Sequence, residues 1–288
     1  NQQTKSDGTT KVGNDGFPDF VSGIKDWYAY GATVEAPTQT SSAYQLTDAD
    51  DLAWFMSQVN SGKTTINGTV TADIDLTGSS RGGSASSPIP WVSIGVSEAN
   101  AYKGTFKGGK RTISYLSGNP LFGYLNGTVD GVIQDNTCKI TGTGGLITEM
   151  IDGKVSNCLN AGAVSSSVWA GGIVGKMGDG TVEYCGVTAN LSSSGASNTL
   201  GGIVGYITGT TMKAEIKNCY YRDGTISTGG GCSGHGVAYV NSSFAGKTII
   251  TGCYFSGSMS ASLAERYGIT RNDSGITVSN CVYQESTS

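Results

Sequence analysis

The only histidine of the chain, His235, lies between two glycines in "CSGHG" (232–236). With Asp223 upstream and Arg266 downstream, it is the nearest the sequence comes to a catalytic set. An imidazole and a carboxylate can move protons, and a guanidinium can hold an anion. Hydrolysis of a glycosidic bond, however, needs two carboxylates, one as acid and one to activate water. No pair of adjacent aspartates flanks His235. The segment also fills a slot that other stretches fill with "GGI", which explains it as a variant of a repeat.

Other chemistry has less support. A single histidine excludes a multi-histidine zinc site, and the seven cysteines include no C-x-x-C pair. Asp73 and Asp75 alternate with apolar residues in "ADIDL", so both point to one face of a strand. They could join a calcium site, which collects several oxygen ligands, or simply face solvent. "SGKTT" (61–65) lacks the first glycine of a phosphate loop and follows a helical pattern. The expectation is no cofactor and no metal. Aromatic side chains are the remaining candidates. Trp91, Trp169, Tyr220, Tyr221, Tyr254 and Tyr283 could stack sugars or anchor a protein. Tyr220 and Tyr254 each follow a cysteine of a repeating phrase, so they should share an outer stripe.

These residues need a scaffold, and the composition restricts it. Of 288 residues, 14% are charged and 45 are glycine, against about 25% charged in an ordinary globular chain. Low charge with abundant Gly, Ser and Thr suits many strands joined by tight turns. The net charge of −4, with no basic run, argues against nucleic acid. No apolar run is long enough to span a membrane as a helix.

The cysteines show how the strands are organised. Cys158, Cys185, Cys219, Cys253 and Cys281 each end one recurring phrase, as in "GGIVGKMGDGTVEYC" (171–185). Val132 and Leu116 take the cysteine slot in two earlier copies. From Val132 onward the slots are 26, 27, 34, 34 and 28 residues apart. Each unit holds two short apolar runs separated by Gly, Asn and Asp, which is strand and turn chemistry. A unit this small cannot bury its own apolar face, so units must stack. The expected fold is an all-β solenoid of parallel strands, most simply a β-helix. In it Leu116, Val132 and the five cysteines form one inward ladder. Leu146, Ile173, Ile203, Val237 and Ile269 form a second.

Stacked neighbours keep their Cβ atoms about 4.8 Å apart, wider than the ~3.8 Å a disulfide prefers. The ladder cysteines are therefore expected to be free thiols acting as small buried hydrophobes. Asn157, Asn218 and Asn280 precede three of them, either as an asparagine stack at a coil corner or as surface turn residues.

Residues 1–40 form a polar, aromatic arm, with Phe20, Trp27, Tyr28 and Tyr30 packed on the body or facing a partner. Residues 41–118 hold a helix and the opening strands, and residues 119–288 the regular coils. The helix lies in "TDADDLAWFMSQVNSG" (47–62), with Thr47 as N-cap, Gly62 as stop and an apolar stripe of Leu52, Phe55, Met56 and Val59. It is expected to cap the open end of the solenoid.

"YQLTDADDLAWFMSQVNSG", "TVTADIDLTG", "WVSIG" and "YKGTFKGGKRTISYLSGNPLFGYLNGTVDG", in that order, resemble the opening segment of bacterial surface proteins with GLUG repeats. The "GGIVG…GTVEYC" units resemble the repeats themselves, and the likeness covers roughly residues 44–286. It implies a right-handed parallel β-helix on an exported bacterial surface protein of adhesin type, with no catalytic residues to carry over. "GGLITEM" and "GHGVAYV" depart from the "GGIVG" pattern, so those coils are expected to be distorted. Gly-His-Gly also resembles a segment of polygalacturonases, themselves β-helices. Three readings follow. One is a monomeric, non-catalytic binding module that offers an outer face to a surface glycan or protein. A polysaccharide-acting enzyme using His235 and a pure spacer are the others. The loops 192–198, 208–214 and 241–247, where the units lengthen, are expected to lie near the contact surface.

Overall fold

A computed structural model describes residues 26–195, 198–208, 213–228, 231–241, 247–260, 262–271 and 275–284. The chain is a right-handed parallel β-helix. Among the described residues the strands form sheets of ten, twelve, five and four strands. One complete coil shows the path. It runs through Ile147–Met150 in the five-stranded sheet and Lys154–Ser156 in the ten-stranded sheet. It then passes Leu159–Asn160 and Ala163–Ser166 in the twelve-stranded sheet, and Ala170–Gly171 in the four-stranded sheet. Val174–Met177 then pairs with Ile147–Met150 in parallel, one coil further on.

The two apolar ladders lie where the repeat predicts. Leu116, Val132, Cys158, Cys185, Cys219 and Cys253 are buried, while Cys281 in the last coil is only half-buried. The second ladder is tied through its own backbone. Leu146 N–H donates to Ile173, Ile173 to Ile203, Ile203 to Val237 and Val237 to Ile269, at 2.8–3.0 Å.

The residue before each ladder position makes the corner. Tyr115, Gly131, Asn157, Tyr184, Asn218, Gly252 and Asn280 all have φ between 51° and 70°. That left-handed backbone suits Gly and Asn, whereas a residue such as Tyr184 adopts it at a cost. The asparagines are exposed turn residues at the coil corner, and Tyr184 and Gly252 stand between them, so they do not stack on one another.

The thiols have a polar role that the hydrophobe reading missed. Cys158 Sγ donates to Ser156 O, Cys185 to Glu183 O and Cys219 to Lys217 O. Cys253 donates to Thr251 O and Cys281 to Ser279 O, all five at 3.1–3.4 Å. Each thiol thus adds a second donor to a carbonyl that already accepts a backbone N–H from the preceding coil, as Ser156 O does from Gly131 N–H, a contact valine and leucine cannot make. All seven cysteines are free. Burial raises Cys138 to about 12 and holds Cys158 and Cys219 well above the ordinary thiol value.

The helix α2 (Ala49–Asn60) differs in detail from expectation. Asp48, not Thr47, is the N-cap, accepting from Asp51 N–H, and the Asp51 carboxylate accepts from Thr47 N–H in return. Leu52, Phe55, Met56 and Val59 are fully buried. Phe55 meets Tyr102 and Phe106 edge-on at 5.8 and 5.7 Å, which seats α2 on the first coils. A short helix α1 (Trp27–Gly31) lies beside it. Trp27 is buried and Tyr28 exposed, and Phe20 lies outside the described residues.

The first glycine of "GGIVG" stands where a Cβ would come within 1.9 Å of a carbonyl oxygen three residues on, as Gly171 does with Val174 O and Gly201 with Val204 O. His235 occupies this slot in the next coil, in register with Gly201. That coil shows the expected irregularity, a register shift between Val204 and Ile207. The "GGLITEM" coil does not, since Ile147–Met150 pairs regularly on both sides.

Candidate functional site

The twelve-stranded sheet carries an outer column in parallel register: Ile133, Leu159, Gly186, Tyr220, Tyr254 and Val282. Strand residues alternate faces, so this column points away from the core while Gln134, Asn160, Val187, Tyr221 and Phe255 point inward. Tyr254 is 36% exposed and Val282 60%, with Ile133, Leu159 and Tyr220 half-exposed. An apolar stripe therefore crosses the exterior of this sheet. The ten-stranded sheet beside it bears Lys154–Glu183 at 2.6 Å and Glu215 between Lys213 and Lys217 at 2.6 and 2.5 Å. The hydrogen bonds from these lysines hold the Glu215 carboxyl below its ordinary value.

Tyr220 takes a specific pose in this stripe. A Cβ on Gly186 would lie 2.3 Å from Tyr220 Cζ and 2.4 Å from its Oη. The ring is therefore folded down over the glycine of the preceding coil. The Arg222 guanidinium carbon is 5.4 Å from the Tyr220 ring centre.

Tyr221 corrects an expectation. It is fully buried, donates from Oη to Ala189 O at 2.8 Å and stacks on Phe255 at 5.4 Å. Neighbouring strand residues cannot share a face, so Tyr220 and Tyr221 could not both have been outer contacts. Trp91 is likewise 1% exposed, packed on Trp27 at 5.5 Å. Tyr283 is 54% exposed yet follows the inward track, in register with Phe255.

Trp169 belongs to a second aromatic group that the repeat did not reveal. It stacks on Tyr206 at 5.4 Å, and Tyr206 stacks on Tyr239 at 5.3 Å. Tyr239 meets His235 edge-on at 5.2 Å, and His235 stacks on Tyr267 at 4.9 Å. The rings cover one another across successive coils, so both faces of Tyr206 are already used. Period-2 alternation places Tyr206 and Tyr239 outside, but only the angle between the four- and five-stranded sheets brings Trp169 and His235 to them.

The candidate catalytic residues are not assembled. His235 is 0% exposed, inside this stack, with Nε2 3.1 Å from Ser233 Oγ. Asp223 lies in the twelve-stranded sheet with its side chain 76% exposed, 3.5 Å from Arg222 Nε. Arg266 borders a groove of about 410 Å³ at the last coil, with Phe255, Met259 and Tyr283. The candidate calcium ligands are occupied locally. Asp73 accepts from Thr112 N–H at 2.8 Å and Asp75 from Thr77 N–H at 2.7 Å. Among the described residues no group of three or more His, Cys, Asp or Glu is placed to hold a metal, and no helix is long and apolar enough to cross a membrane. Of the loops at 192–198, 208–214 and 241–247, residues 196–197, 209–212 and 242–246 fall outside the described residues.

No family model and no curated protein matches the chain. Among solved structures, that of a "putative immunoglobulin A1 protease" from Bacteroides ovatus superposes with a TM-score of 0.60 at 19% identity. The superposition covers 88% of this chain and 91% of the other. At that identity the likeness bears on the fold alone.

Proposed function

We propose that this chain is a non-catalytic binding module of an exported bacterial surface protein, of the adhesin type that its resemblance to GLUG-repeat proteins implies. It presents the outer stripe of the twelve-stranded sheet to a glycan or protein partner. The observation that carries this is the in-register Tyr220–Tyr254 pair, flanked by Leu159 and Val282, on a face with no covering element among the described residues. An evolved β-helix exterior needs no apolar column for folding, because the inward residues already fill the core. The burial of His235 in an aromatic stack, with Arg266 paired to the neighbouring Gly234 and so directed to the opposite face of the sheet, supports a role without catalysis.

The test is binding of the folded chain to arrayed glycans and to bacterial and host cell surfaces. Tyr220→Ala with Tyr254→Ala should weaken the observed binding at least about tenfold, in the range of aromatic interface anchors, with the melting temperature nearly unchanged. Binding that survives the double change places the contact elsewhere. Hydrolysis that depends on His235 would replace this function with the enzymatic one. A folded chain that binds none of these surfaces would favour the spacer.

A further inference from the structure

Resting on that proposed contact surface, we infer that Tyr220, laid over Gly186, is a stacking platform for a six-membered sugar ring that carries a carboxylate, and that Arg222 holds that carboxylate. The platform is built into the sequence of the stripe. Of its six positions only the one beneath Tyr220 lacks a side chain, and a single Cβ there would overlap the ring. One ring face rests on the backbone of Gly186, and the Arg222 guanidinium carbon stands over the ring, 5.4 Å from its centre. A pyranose presents a patch of C–H groups with partial positive charge, which complements the negative face of an aromatic ring. In the column Trp169–Tyr206–Tyr239 the central ring cannot serve this way, since both its faces are covered.

The charge beside the platform selects the class of sugar. Arg222 follows Tyr220 by two residues on the same strand, so both side chains stand on the outer face. Its side chain is 57% exposed, and its one ion-pair contact among the described residues is the long one to Asp223. A guanidinium offers a planar fork that matches a carboxylate. In a hexuronate the carboxylate leaves the ring equatorially, beyond the rim and nearly in the ring plane. A hexuronate lying flat on Tyr220 therefore directs it sideways, toward Arg222. Asp223 opposes this ligand, because it competes for the guanidinium and repels the incoming charge.

The experiment is calorimetric titration of the whole chain with a 1,4-linked hexuronate trisaccharide, its neutral hexose counterpart and a sialylated trisaccharide. The expected result is hexuronate binding at least about tenfold tighter than neutral sugar, the loss typical of one charge-assisted contact. Arg222→Gln should erase that preference without changing neutral binding. Asp223→Asn should tighten hexuronate binding several-fold. Gly186→Ala keeps every aromatic ring but tilts Tyr220, so it should weaken both sugars, and Tyr220→Trp should retain them. Melting curves show that each variant is folded, and Tyr220→Ala serves where Gly186→Ala is not. Equal affinity for hexuronate and neutral sugar overturns the inference, as does a preference for the sialylated sugar or one that survives Arg222→Gln. If a partner other than hexuronate is lost on Tyr220→Ala with Tyr254→Ala, the inference fails and the proposed function stands. If no partner depends on these tyrosines, both fail.

Discussion

The two ends of the solenoid solve the same problem differently. At the N-terminal end, α2 lays Phe55 against Tyr102 and Phe106, and Phe106 continues to Phe122 at 5.2 Å. Asn60 fastens the helix to the coil beneath. Its amide donates to Ser93 O at 2.9 Å, and its carbonyl accepts from Gly95 N–H at 2.8 Å. Arg81 is buried between Trp27 and Tyr30, 3.6 and 4.1 Å from their ring centres, and desolvation lowers its pKa. At the other end, Thr277–Ser279 and Val282–Tyr283 each pair on one side only among the described residues. Val278 is 43% exposed there, and a Cβ on Gly268 would lie 2.3 Å from Tyr283, so that ring is a partial lid. The contrast teaches that stacking alone does not finish a β-helix. The inward ladder is equally apolar throughout, and whether it is dry depends on what lies over its last member.

Alkaline titration should give the largest effect. Thiols of the unfolded chain ionise around 9.0, whereas Cys138 is held near 12 and Cys158 and Cys219 are also raised. The folded state therefore keeps protons that the unfolded state releases. Stability is full below pH 9 and falls as pH rises through the raised values, by about 1.4 kcal/mol per pH unit for each such thiol. Urea midpoints measured from pH 7 to 11 should decline steeply. A flat profile would mean that the ladder is wet.

Next in size is the difference between the ends. Phe55→Ala should cost about 3–5 kcal/mol, as other buried phenylalanines do. Tyr283→Ala should cost less than about 1 kcal/mol, since the ring is largely exposed. Equal losses in chemical denaturation would end the distinction between a sealed and an open end. Cys185→Ala and Cys281→Ala repeat the comparison within one ladder, with about 1–3 kcal/mol expected for the first and under about 1 kcal/mol for the second. A thiol reagent should label Cys281 in the native protein well before Cys185. The smallest effect should be at the corner, where Tyr184→Gly relieves a left-handed φ of 53° and should stabilise by roughly 1 kcal/mol. A loss of stability there would show that the Tyr184 side chain contributes more than its backbone costs.

Repetition made much of this legible. Residues one coil apart occupy equivalent positions, so a phrase ending in Cys repeats a location as well as a composition. The ladders, the corner before each cysteine and the outward register of Tyr220 with Tyr254 all follow from spacing and from strand alternation. Alternation also sends Tyr221 inward, so two adjacent tyrosines on one strand cannot both be exposed. The helix is readable from its stripe, and only the choice between Thr47 and Asp48 for the cap depended on which side chain accepted from the Asp51 N–H.

The sequence by itself determined the coil, its period and which side chains face the core, because these depend on neighbours along one strand and on the equivalent slot in the next coil. Only the tertiary structure decided what happens between sheets and at the ends. Trp91 is buried because α1 lies over it, and His235 because Tyr239 and Tyr267 from other strands close on it. Arg81 sits between two rings more than fifty residues away. The Tyr220 ring lies flat because a coil 34 residues earlier offers a glycine at that height. Such contacts depend on the angle at which one sheet meets the next and on the rotamer each ring can adopt there. Neither quantity repeats with the coil.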